Sequence, residues 1–140
     1  MRYVSSASLS IHHTTTRQVK GVRVCVKYTL QETFNKIAHH MLMQGKRSMD
    51  YTGTVCKYRG DMGLKCAIGT LDPFSLLVET DSVCDEYNLE ILARLGYPVN
   101  AKAQEVYERL QYVHDEVMPQ DWKATLKALA FIWHLEFINR

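Results

Sequence analysis

Two hydrophobic periods divide this chain, one of two residues and one of about 3.6. Over residues 3–11, Tyr3, Ala7, Leu9 and Ile11 alternate with Val4, Ser6, Ser8 and Ser10, a strand pattern. HTTTRQ (residues 13–18) is polar and turn-like, and the alternation then returns more strongly over residues 19–28. There Val22, Val24, Val26 and Tyr28 share one face, while Arg23, Cys25 and Lys27 share the other. The two segments are expected to pair as a hairpin. A second hairpin is predicted over residues 54–70, where Thr54–Arg59 and Leu64–Thr70 flank Gly60-Asp61-Met62-Gly63. A turn centred there sets Cys56 roughly opposite Cys66 or Ala67.

The longer period begins at Thr29. TLQE forms a capping box, and Leu30, Phe34, Ile37, Met41 and Leu42 fall on one stripe before Gly45 offers a left-handed stop. Within this helix His39 and His40 point about 100° apart, so one is expected to be exposed and the other partly buried. Further helices are predicted over Asp85–Leu95, from Asn100 to about Met118, and after Asp121. The last of these turns Leu126, Leu129, Ala130, Trp133 and Phe137 inward. The expected fold is α+β: one domain over residues 1–140, with a small antiparallel sheet packed against about four helices. Residues 1–27 are either a strand pair or an arm.

Composition changes this picture little. The 140 residues are 46% hydrophobic and 23% charged, enough for a core without covalent staples. No apolar run approaches the ~18 residues of a membrane span, and no apolar stretch follows Arg2 as in a secretory signal. A reducing cytosol is the expected setting, and there the four cysteines are expected as free, buried thiols.

Charge changes it more. Residues 1–66 hold eleven Lys and Arg against three acids, +8, while residues 67–140 hold six against twelve, −6. This asymmetry fits either an interaction surface or two halves that attract each other within the fold. The candidate contact residues are Arg23, Lys27, Lys57, Arg59 and Lys65. Their reversal to glutamate is expected to abolish partner binding and to leave stability little changed.

Chemistry is thinly signalled. Cys56 and Cys66 are separated by nine residues, without the C-x-x-C spacing that structural zinc favours, so they are weak metal candidates. His39, His40, His114 or Cys84 complete such a site only if the fold happens to bring them together. Regular strands put Lys57, Arg59 and Lys65 on one face and the thiols on the other, which favours inert sulfur packed against the Leu30–Leu42 stripe. His114 and Asp115 are adjacent on a helix and are not expected to face each other. No cofactor is expected.

YTLQETFNKIAHHMLMQGKRSM (28–49), CKYRGDMGLKCAIG (56–69) and YVHDEVMPQDWKATLKALA (112–130) resemble a group of small uncharacterised proteins of tailed bacteriophages and prophages. The shared pattern is an amphipathic helix, C-x-Y-R-G, a turn, C-A-[VI]-G, then H-D and P-x-x-W. It covers residues 28–140. A cysteine common after the C-A-V-G glycine is Thr70 here, which weakens a cysteine metal set. The resemblance implies a phage setting in the host bacterial cytoplasm and no particular reaction. The expected function is a non-enzymatic binding protein acting on a host bacterial protein, in host takeover or as an anti-defence inhibitor. The alternatives are a nucleic-acid-binding accessory and a small zinc-binding or thiol-dependent protein. No membrane partner is expected.

Overall fold

The computed structural model describes residues 15–19, 22–49, 56–79 and 82–138. Four α-helices build its body: α1 (Leu30–Gln44), α2 (Glu86–Arg94), α3 (Ala101–Glu116) and α4 (Trp122–Ile132). The α+β expectation is therefore corrected to a helical fold. From residue 27 onward the described residues form no strand or sheet, only two isolated bridges, Met49 with Cys56 and Arg59 with Lys65.

The N-terminal hairpin is shifted as well. Thr15–Val19 (β1) pairs antiparallel with Val22–Val26 (β2), in a register that sets Thr15 opposite Val26 and Val19 opposite Val22. Thr15 and Thr16, read as turn, are thus strand, since β-branched threonine suits a pleated backbone despite its hydroxyl. The expected strand over residues 3–11 lies outside the described residues. The ribbon ends against the turn after α2: the Lys27 and Tyr28 amides both donate to the Gly96 carbonyl, at 2.8 and 3.0 Å. The Tyr28 ring stacks on Tyr97 with centroids 4.8 Å apart.

Each helix start carries a local reason. Thr29 and Glu32 form the predicted capping box on α1, and Gly45 ends that helix at φ +70°. Asp85 caps α2 and Asn100 caps α3 through their side-chain oxygens. Asp121 makes no side-chain cap on α4, which follows directly from a short 3₁₀ turn at Pro119–Asp121. The buried faces are Leu30, Phe34, Ile37 and Met41 on α1, Val106, Tyr107, Leu110 and Val113 on α3, and Trp122, Leu126 and Ala130 on α4. Phe34 meets Trp133 edge-on at 6.3 Å. No helix of the described residues is long and apolar enough to cross a membrane.

The 54–70 hairpin is the second correction. Its turn closes through the Gly60 amide on the Leu64 carbonyl, and the Cys66 amide donates to Tyr58, so Cys66 stands opposite Tyr58 and not Cys56. Beyond that point the chain leaves the strand pattern. Cys66, Ala67, Ile68, Gly69 and Leu71 are all buried, with no alternation, and Gly69–Leu71 coils into a 3₁₀ turn. Small side chains permit this: a Cβ on Gly69 would collide with the Tyr58 carbonyl oxygen.

A buried irregular segment needs hydrogen-bond partners that a sheet would otherwise supply. Here side chains supply them. The amide of Ile68 donates to Gln111 Oε1, that of Leu77 to Asp72 Oδ2, and that of Tyr58 to Glu79 Oε2. Asn88, fully buried, accepts from the Val78 amide and donates to its carbonyl, both at 2.9 Å.

Candidate functional site

The C-terminal end of α3 gathers the densest chemistry among the described residues. Arg47, in the loop after α1, donates from Nε to the His114 carbonyl (3.1 Å) and from Nη2 to that of Val117 (2.8 Å). A cation on the last carbonyls of a helix satisfies orphan acceptors and complements the dipole. Arg47 thereby lays Ser48 and Met49 across the helix end.

His114 sits beneath this crossing with no exposed surface, stacked on Trp122 at 5.6 Å. Trp122 is itself anchored, with Nε1 donating to the Val113 and Val117 carbonyls. The Ser48 amide donates to His114 Nε2 at 3.0 Å. That nitrogen is therefore an acceptor, so the ring proton resides on Nδ1, which donates to Asp115 Oδ1 at 2.6 Å. The expectation that adjacent His114 and Asp115 do not meet is corrected. The short aspartate side chain folds back along its own helix to reach the ring.

Cys56 completes the group. Its Sγ, His114 and Asp115 each offer a ligand atom, and these atoms lie within 4.8 Å of one another. The Cys56 thiol also lies 3.4 Å from the Met49 thioether. Burial, and then the negative charge of Asp115, push this thiol up to about 11. It is protonated at neutral pH, and a Cys–His nucleophile needs the opposite shift. Nor does the basic nitrogen of His114 serve as its base, because Nε2 is taken by the Ser48 amide. As it stands, the cluster is a closed hydrogen-bonded unit.

Cys66 does not join it. The Sγ accepts from the Gly69 amide at 3.2 Å, and burial pushes the thiol up to about 12. It is the core thiol that the sequence predicted, whereas Cys56 is partly exposed at the end of α3 rather than packed on α1. The thiols of Cys56, Cys66 and Cys84 are all free.

The proposed cationic set is scattered in role. Only the backbone of Arg23 is described, opposite Gln18. Lys27 is exposed beside Gly96, and Lys57 and Lys65 are partly buried. Arg59 is exposed but tied to the fold: Nη1 donates to the Leu77 carbonyl at 3.0 Å and stands 3.6 Å from the buried carboxylate of Asp72. Sequence reasoning missed Arg47, Ser48 and Met49. The one available signal was the P-x-x-W spacing, which places Trp122 under the end of α3.

A concavity of about 380 Å³ opens beside α1 and is lined by Phe34, Ala38, Lys36, His39 and the tail residue Ile138. Compared with protein-family models, curated proteins and solved structures, the chain matches none.

Proposed function

We propose that this protein works by binding another protein through an apolar surface at its C-terminal end. The observation that supports this reading is the exposure of Phe131 (82%) and Ile132 (64%) on the last turn of α4. Ile138, 44% exposed, adds a third large apolar side chain and lines the groove beside α1. Single exposed apolar residues are ordinary, but three within eight residues of chain, one of them lining a groove, fit a contact surface better than chance exposure. Aromatic anchors of this kind carry most of the energy of protein interfaces. A phage setting and a host bacterial protein as the partner rest on the resemblance of residues 28–140 alone.

The nucleic-acid alternative draws less support, because Arg59 is committed to Asp72 and Leu77. The discriminating experiment uses the purified chain as bait in bacterial lysate, beside Phe131→Glu/Ile132→Glu and Lys57→Glu/Lys65→Glu variants. One stoichiometric partner, lost with the first variant and kept with the second, is the expected result. Retention with the first variant removes the apolar surface, and loss with the second alone shifts the contact to the lysines. If no stoichiometric partner is recovered, the binding reading fails.

A further inference from the structure

We infer that Cys56, His114 and Asp115 form a zinc-binding site in which protons now stand where the ion would sit. The donor set is a thiolate precursor, an imidazole and a carboxylate, three of the ligand types that zinc takes. Two of the three lie on consecutive residues of α3, and the third is carried in by the Met49–Cys56 bridge, so different parts of the chain converge on one point. With Zn–N and Zn–O bonds of about 2.0 Å and Zn–S of about 2.3 Å, tetrahedral ligand atoms stand roughly 3.3–3.5 Å apart. His114 Nδ1 and Asp115 Oδ1, now 2.6 Å apart across a proton, need open by less than about 1 Å. The remaining separations, none above 4.8 Å, close by about 1.5 Å at most. Side-chain rotation covers such changes.

The charges also balance. A thiolate and a carboxylate neutralise the divalent ion, which suits a partly buried site better than either anion alone. Asp115, with 30% of its side chain exposed, gives the ion a way in from solvent. The fourth position remains for water. The Cys56 proton leaves to solvent on binding.

His114 couples the ion to the fold. Zinc on Nδ1 requires the neutral ring to carry its proton on Nε2, where the Ser48 amide now donates. Two donors cannot face each other, so zinc binding expels that amide and frees Ser48 from the end of α3. The site thus differs from a structural zinc centre, because metal and backbone compete for one imidazole.

The test is titration of the tag-free full-length chain with Zn²⁺, and with Cd²⁺ as a spectroscopic substitute, followed by backbone amide NMR. One ion per chain, a cadmium–thiolate charge-transfer band and a large displacement of the Ser48 amide signal are expected. Cys56→Ser removes the band, Asp115→Asn weakens binding roughly tenfold or more, and Cys66→Ala leaves both unchanged. Because His114 variants risk unfolding, the decision rests on these partly exposed ligands and on the Ser48 signal. A chain that gives no band, or a band that survives Cys56→Ser or disappears with Cys66→Ala in a folded protein, overturns the site. A band without movement at Ser48 overturns the role of His114.

Discussion

With the Ser48 amide on Nε2 and the Asp115 carboxylate on Nδ1, removing the His114 ring strands two polar groups and opens a cavity over Trp122. His114→Ala is expected to lower stability by about 2–4 kcal/mol, measured by urea denaturation. Asp115→Asn keeps an acceptor oxygen and is expected to cost under about 1 kcal/mol. His40 illustrates a different dependence. Burial lowers its pKa, against the opposing effect of its hydrogen bond to the Lys65 carbonyl. The unfolded chain then takes up the proton first as pH falls. The stability from neutral His40 is complete above its ordinary value near 6.5 and declines as pH drops toward the lower folded value. The melting temperature is expected to fall between about pH 7 and pH 5, less steeply in His40→Gln.

At the scale of elements, helix ends give the sharpest expectations. Thr29→Ala removes the hydroxyl half of the capping box on α1, leaving the residue 29 amide on Glu32, and is expected to cost about 1 kcal/mol by thermal melting. At the end of α4 the Leu135 amide reaches the Ala130 carbonyl at 2.8 Å, and His134 takes the left-handed position at φ +59°. Glycine normally fills that place. His134→Gly is expected to stabilise the protein by roughly 0.5–1 kcal/mol. These ends also show what the sequence disclosed. Caps and stripes are local, so α1, α2 and α3 could be read to within two residues. The 54–70 segment could not, because its burial comes from small residues and from side-chain acceptors on distant elements, such as Gln111 and Asn88. The Cys56–His114–Asp115 cluster was hidden for the same reason. Cys56 joins His114 and Asp115 through its bridge to Met49, in the loop that Arg47 ties to the end of α3.

For the whole molecule, the opposed charges of the two halves work at least partly within the fold. Arg47 from the basic half caps α3 in the acidic half, and Arg59 faces Asp72. Asp72 is almost fully buried. Its Oδ2 holds the Leu77 amide, and its Oδ1 has no hydrogen-bond partner among the described residues. That carboxylate depends on the nearby guanidinium more than a surface acid would, although partial exposure of Arg59 screens the pair. Arg59→Glu therefore places a second anion beside a buried one and removes the donor to Leu77. The expected loss is about 2 kcal/mol or more in denaturant unfolding. Lys57→Glu and Lys65→Glu, with no such partner among the described residues, are expected to change stability by about 0.5 kcal/mol or less. This departs from the expectation that all five cations are dispensable for folding. A stability series that ranks Arg59→Glu with the lysine variants would remove the internal role assigned to the charge asymmetry, and would return Arg59 to the outer surface as a free contact residue.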